Sequence, residues 1–256
     1  MENDNLQNQL RNKRRLVPHL VYRMWPALDE WWWFGKQARL LKRGLPTNRS
    51  PEDVFAKLET SSLTSLQKRN EIVPLLEMLR RENATVICEI GSYDGGTLFL
   101  FAGVAPEDAQ IFSLDLHLGF GRRSAFRRML RRGQSLQYIE GDSHDLGTKS
   151  RLEKLLAGKR LDFLFIDGDH SFAGVAADFE LYSPLVRPGG LIAFHDIIPD
   201  FRTRFGKVTA SNGGEVWRFW RQLREKYSDC REFLHEGSDQ DGYGIGVLRY
   251  PGLKSS

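Results

Sequence analysis

A chain of 256 residues with 41% hydrophobic and 27% charged side chains can bury a full core, which excludes a disordered protein. Only Cys88 and Cys230 are present, so no disulfide framework is indicated and a reducing, cytoplasmic setting is expected. The polar start Met1-Glu2-Asn3-Asp4 lacks the apolar stretch of a secretory signal, no run long enough for a membrane span exists, and a net charge of +4 is modest for binding nucleic acid.

Residues 1–65 differ in composition from the rest of the chain and read as a helical appendage. Residues 1–50 hold ten Lys or Arg against four Asp or Glu, a net of +6, so the basic excess of the chain lies here. The cluster Arg11-Asn12-Lys13-Arg14-Arg15 precedes Trp25 and Trp31-Trp32-Trp33-Phe34. Two uses fit this chemistry. Rings and basic groups suit a peripheral contact with an anionic membrane surface, or the tryptophans pack on the body or across a homo-oligomer interface.

Residues 66–256 form the main domain, in which helices and strands alternate. Ile72, Leu75, Leu76 and Leu79 predict an amphipathic helix over 66–82. Val86-Ile87-Cys88-Glu89-Ile90 suits a strand buried on both faces, and the glycines at 91, 95 and 96 then let backbone approach a ligand before a helix over 95–104. Glu89, at the strand's carboxyl end, is a candidate acceptor for a cationic or hydroxyl-bearing ligand. Strand 110–115 comes next, then a helix near 122–132 with Arg123, Arg127 and Arg131 on one stripe, Arg128 and Arg132 beside it, and Phe126, Met129 and Leu130 opposite. That stripe is either a solvated face or a site for anions. Strand 136–140, a helix near 148–157, strand 161–166, a helix near 171–185 and strand 190–195 succeed it. A helix near 214–226, with Trp217, Phe219, Trp220 and Leu223 as its core stripe, leads to strands near 231–236 and 243–249 joined by a loop.

This alternation predicts an α/β fold with a doubly wound, mostly parallel seven-stranded sheet, an antiparallel hairpin at one edge, and a ligand crevice at the strands' carboxyl ends. Those ends carry Glu89 and Gly91, Asp115, Glu140-Gly141-Asp142-Ser143, Asp167-Gly168-Asp169-His170 and His195-Asp196, which should converge. Asp115 stands 24 residues after Gly91, where an acidic side chain bonds ribose hydroxyls, so a nucleoside-containing ligand is expected. The G-x-x-x-G-G spacing lacks the pattern of a pyrophosphate site, and there is no P-loop lysine.

The run Glu89-Ile90-Gly91-Ser92-Tyr93-Asp94-Gly95-Gly96-Thr97, the acidic end of the second strand, and Glu140-Gly141-Asp142-Ser143 resemble the cofactor motifs of class I S-adenosylmethionine-dependent methyltransferases. The stretch Leu161 to Ile197, containing I-D-G-D-H-S and R-P-G-G-L-I-A-F-H-D, is similar to the branch with macrocin-type sugar O-methyltransferases and cephalosporin hydroxylase-like proteins. The likeness spans roughly residues 66–250 and leaves the appendage outside. It implies a Rossmann-like fold in which Glu89, Gly91, Ser92, Gly95 and Gly96 surround the methionine part of S-adenosyl-L-methionine. Asp115 would take the ribose hydroxyls, Asp142 and Ser143 would lie by the adenine, and Asp167 at the mouth where methyl donor and acceptor meet. It also implies a divalent cation, Mg²⁺ or Mn²⁺, at Asp167 and Asp196. His195 stands where relatives carry a carboxylate, a departure that favours a transition metal such as Mn²⁺ over Mg²⁺. Alternation along a strand leaves His195 two readings, a ligand or a residue facing away from Asp196. His170, at the offset where macrocin-type enzymes have a histidine, is the candidate general base together with Asp167.

The activity so implied is methyl transfer to a hydroxyl of a sugar, glycan or small natural product. Such a hydroxyl is a poor nucleophile at neutral pH, which is why a base or a metal is needed. Two other readings stay open: an RNA methyltransferase, on the basic segment and arginine stripe, and a non-catalytic cofactor-binding or membrane-associated scaffold, on the tryptophans. No RNA-binding module signature is present, so nucleic acid is not an expected partner.

Overall fold

In the computed structural model, the residues described are 32–43, 49–63, 65, 67–117, 120–211, 213–237 and 239–252. Trp25, Trp31 and the Arg11 to Arg15 cluster lie outside them. Helix α1 covers residues 32–42. After it come α2 (Pro51–Glu59), α3 (Arg69–Arg81), β1 (Val86–Ile90), α4 (Gly96–Val104), β2 (Gln110–Asp115), α5 (Phe120–Met129), β3 (Ser135–Glu140) and α6 (Leu146–Leu156). The chain continues with β4 (Leu161–Ile166), α7 (Phe172–Tyr182), β5 (Val186–His195), α8 (Phe201–Phe205), α9 (Val216–Lys226), β6 (Cys230–Phe233) and β7 (Ile245–Arg249).

The seven strands form one sheet in the order β3-β2-β1-β4-β5-β7-β6. β1 to β5 are parallel, while β7 runs antiparallel to both β5 and β6, so the expected edge hairpin has its last strand on the inside. The chain reverses its direction of travel between β1 and β4, the switch point at which doubly wound sheets open a crevice. Every residue of β1 is buried, as expected for a central parallel strand.

The pleat divides the core in two. Ile87, Ile111, Phe163, Phe165, Leu191 and Val247 face helices α1 to α5, whereas Cys88, Ile90, Leu164, Ile192, Phe194 and Leu248 face α6, α7 and α9. The amino-terminal helices belong to the first layer. Phe34 of α1 is buried with its ring 6.3 Å from that of Phe126 in α5, and Val54 of α2 lies against Gly103 of α4. Helix α2 is started by a reciprocal cap between Ser50 and Asp53, with Pro51 in its first turn.

Several boundaries differ from expectation. Helix α5 ends at Met129, three residues early, and the chain turns at Gly133. β5 begins at Val186, because the Arg187-Pro188-Gly189 stretch enters the sheet through a register shift against β4. Helix α8 escaped the sequence reading, since five residues are too few to show a helical period. Its start is nonetheless capped, with Asp200 accepting from the Thr203 N–H at 2.7 Å.

Candidate functional site

A cleft of about 740 Å³ opens at the carboxyl ends of the strands. Of the residues singled out in the sequence, Gly91, Asp115, Asp142 and Ser143 line one part of it, and Asp167, His170, His195 and Asp196 another. Glu89, Ser92, Gly95 and Gly96 do not reach its wall. Trp217 and Trp220 do not line it either; Trp220 is buried in the core and donates to Glu232 at 2.7 Å.

Asp115 ties the glycine turn to the end of β2. Its Oδ2 accepts the N–H groups of Ser92 and Tyr93, each at 2.9 Å, and its Oδ1 accepts that of His117 at 3.0 Å. A carboxylate offers about four acceptor positions, so Asp115 keeps capacity toward the cleft. Asp142 accepts the His144 N–H at 2.9 Å through Oδ1. Glu89 is fully buried behind the turn, and neither of its oxygens has a hydrogen-bond partner among the described residues. Burial pushes its pKa well above the usual carboxylate range, opposed by the nearby Ser92 hydroxyl, which is itself paired with Ser113 at 2.7 Å.

At the other end, two aspartates and two histidines interlock. His170 has Nε2 3.3 Å from Asp167 Oδ1 and Nδ1 3.3 Å from Asp196 Oδ2. His195 has Nδ1 3.3 Å from Asp167 Oδ1 and 3.5 Å from Asp196 Oδ2. The strand pleat alone would turn His195 and Asp196 apart. Asp196, however, takes a left-handed conformation, φ 59°, which ends the pleat and swings its carboxylate back to the side of His195. Burial alone would depress the His195 pKa, but the charges of Asp167 and Asp196 outweigh it and hold the ring up at about 9. Asp167 answers in kind: burial opposes its ionisation, yet His195 and His170 bring its pKa down to about 2.

The set able to hold a metal differs by one member from the expected one. Asp167, His170 and Asp196 each offer a ligand atom, all within 4.8 Å of one another. His195 is 3% exposed and its Nδ1 is already directed at both carboxylates, so it braces the cluster. Two carboxylates and an imidazole suit a divalent cation that tolerates nitrogen, Mn²⁺ better than Mg²⁺.

Residues distant in sequence complete the site. Gln67 donates to Asp167 Oδ2 at 2.8 Å and accepts from the Thr97 hydroxyl at 2.6 Å, linking the entry to α3, the start of α4 and the end of β4. No local pattern marks it, since its partner is 100 residues away. His144, by contrast, directly succeeds the E-G-D-S motif, a position that pointed to the cleft it lines. Its Nε2 lies 3.4 Å from Asp178, a buried residue of α7 with no hydrogen-bond partner on either oxygen among the described residues. Burial pushes the Asp178 pKa up to about 6, against the pull of Ser143 and His144. A carboxyl whose folded pKa is raised adds stability fully below its unfolded value of 3.8 and loses it as pH rises through about 6. Asp178→Asn is therefore expected to stabilise the protein at pH 8, on the order of 2 kcal/mol, and to change little near pH 4. Thermal unfolding at the two pH values checks this.

Of the arginine stripe, Arg123 pairs with Glu140 and Arg131, beyond the end of α5, with Glu107 at 3.1 Å; Arg122, outside the stripe, lies 3.7 Å from Asp94.

Residues 88–197 match the family model of a methyltransferase domain. Tapetum-specific methyltransferase 1 of Arabidopsis thaliana is 29% identical over 119 residues, which are 45% of this chain and 48% of that protein. The chain spans between 15% and 55% of the length of the curated relatives it matches. Among solved structures, an O-methyltransferase from Bacillus cereus in complex with SAH superposes with a TM-score of 0.56 at 18% identity, covering 85% of this chain and 98% of that one. The methyltransferase MycE of the mycinamycin biosynthetic pathway, in complex with Mg, SAH and mycinamycin VI, superposes with a TM-score of 0.55 at 17% identity, over 80% of this chain and 54% of that one. At such identities the likeness is one of fold. Residues 88–197 thus match a methyltransferase domain model, and the chain shares its fold with the O-methyltransferase from Bacillus cereus and with MycE.

Proposed function

We propose that the protein is an S-adenosyl-L-methionine-dependent O-methyltransferase acting on a hydroxyl of a sugar, glycan or small natural product, with Mg²⁺ or Mn²⁺ at the acceptor end. One observation carries this reading: a single cleft joins the acidic ends of β2 and β3 to the cluster of Asp167, His170 and Asp196. The cofactor fits the residues present. Asp115 has acceptor capacity left for ribose hydroxyls, and Asp142 uses one oxygen on His144 and keeps the other for an adenine amine.

Bound S-adenosylmethionine supplies a methyl group activated by its sulfonium. The acceptor oxygen would displace the thioether in line at the methyl carbon, and its proton would pass to the Asp167–His170–Asp196 cluster, in which the two carboxylates face the two ring nitrogens of His170 at 3.3 Å each. Asp167 stays ionised because His195 lies against it. A divalent cation held by Asp167, His170 and Asp196 would acidify the hydroxyl directly. His170 therefore has two roles open to it, base or ligand, and a titration separates them.

Calorimetric titration with S-adenosylmethionine, with and without Mg²⁺ or Mn²⁺, tests the reading; no binding under either condition sinks it. His170→Ala is expected to retain cofactor binding while turnover falls about 10² to 10⁴-fold. Loss of metal binding in the same variant would assign the imidazole as a ligand. Among the described residues no helix is long and apolar enough to cross a membrane. Cys88 and Cys230 are both free, which supports the cytoplasm as the compartment.

A further inference from the structure

We propose that the end of the domain opposite the cleft is a docking surface for an anionic phospholipid membrane, with one headgroup phosphate seated among Lys42, Arg49, Arg131 and Arg132. These four residues, with Glu107, line a separate pocket of about 210 Å³. Glu107 lies just ahead of β2, and Arg131 and Arg132 just ahead of β3, so the pocket sits at the amino ends of the strands whose carboxyl ends carry Asp115 and Glu140. Six residues of strand, roughly 20 Å, separate the two sites.

The pocket is electrostatically incomplete. It collects four cations around one carboxylate, and that carboxylate is committed to Arg131 at 3.1 Å. Arg131 spends another nitrogen on the Ala105 carbonyl at 3.0 Å. Arg49 holds the clearest unmet donor: its Nε is buried with no hydrogen-bond partner among the described residues. Burial and the neighbouring charge of Arg131 hold the Arg49 pKa below its usual range, with Glu107 too weak to offset them. A phosphate oxygen meets both needs at once, since guanidinium forks match its geometry and its charge cancels theirs.

The surface around the pocket argues for a membrane as the source of that phosphate. Lys42 belongs both to the pocket and to α1, whose exposed positions are Trp32, Lys36, Arg39, Leu40 and Lys42, with Arg43 just beyond. Basic and apolar side chains alternate there, and no acid interrupts them. Trp32 is 58% exposed and Leu40 38%, although buried Phe34 and Leu41 pin the opposite face of the same helix to the core. Large apolar groups held outward among cations match a headgroup interface, where rings lie at headgroup level and each basic residue adds attraction to anionic lipid. Soluble phosphoesters would use the pocket but leave Trp32 and Leu40 without a role. Docked this way, the protein would keep its cleft turned from the membrane and open to a soluble acceptor.

Co-sedimentation of the full chain with vesicles tests the proposal. Binding to phosphatidylcholine vesicles containing phosphatidylglycerol, weakening with added salt, and none to phosphatidylcholine alone, is the expected result. The double variant Arg49→Ala/Arg132→Ala should lose on the order of tenfold in vesicle affinity, and Trp32→Ala, at an exposed position, should lose part of it. Both should keep the parent's unfolding midpoint. Equal binding to the two kinds of vesicle, or undiminished binding by the double variant, overturns the proposal. So does inorganic phosphate raising the unfolding midpoint of a protein that sediments with neither vesicle, which would make the pocket a site for soluble phosphate.

Discussion

Alanine at Asp167 is expected to remove methyl transfer and lower stability together, because one carboxylate serves both. Asp167 receives Gln67 at 2.8 Å and stands 3.3 Å from the ring nitrogens of both His170 and His195. Turnover loses the group that holds His170, and a fall of about 10³-fold or more is expected. Stability loses the main counter-charge of a buried imidazolium; breaking a buried pair from one side costs about 3 to 5 kcal/mol. The sign of the pH dependence is set by His195, whose folded pKa of about 9 exceeds its unfolded value of 6.5. Its contribution is complete below 6.5 and lost as pH rises through about 9, so parent and variant should converge toward alkaline pH. Asp167→Asn keeps the shape but not the charge, and should resemble alanine in activity. Unfolding midpoints from pH 6 to 10 in the presence of a chelator, with turnover at neutral pH, measure both effects. Full turnover in either variant would remove Asp167 from the mechanism.

How much of this was legible in the sequence depends on whether a feature is local. β1 announces itself through five consecutive buried residues, and the acidic residues at the strand ends needed only the parallel order of the sheet to converge. Asp115, Asp142 and Asp167 therefore reached the cleft as expected. Strand alternation left His195 two readings, and the positive φ at Asp196, which ends the strand, brings both side chains to one side. Gln67 and Asp178 had no local signature, since each acts through a partner brought near only by tertiary packing. Phe34 and Val54 were read as appendage on account of the basic residues around them, while their burial in the α-helical layer depends on Phe126 and Gly103. Charge describes the outside of such a helix and says little about its inner face.

Gly91→Ala is expected to be the most damaging small substitution in the chain. Gly91 has φ 86°, a region L-residues avoid, and a Cβ there would overlap the carbonyl oxygen of Asp167 and come within 2.6 Å of the carbonyl carbon. Both are backbone atoms, which no rotamer change can move aside. The two segments are also tied by the hydrogen bond from Asp167 N–H to the Ile90 carbonyl at 2.9 Å, while Gly91 N–H binds the turn to the Leu114 carbonyl of β2, also at 2.9 Å. Accommodating one methyl therefore means parting β1 from β4 at the switch point, where the cleft floor is built. A cost of about 4 kcal/mol or more is expected, lowering the unfolding midpoint by roughly 10 °C. Gly158→Ala supplies the control: its φ of 84° imposes the same backbone strain, yet no described residue lies within 4 Å of its would-be Cβ. That variant should lose only about 1 kcal/mol. The difference between the two midpoints isolates the contact with Asp167 from the strain of the left-handed backbone. Equal midpoints would mean that β1 and β4 can part without cost, and that the close approach of Gly91 to the Asp167 backbone does not shape the site.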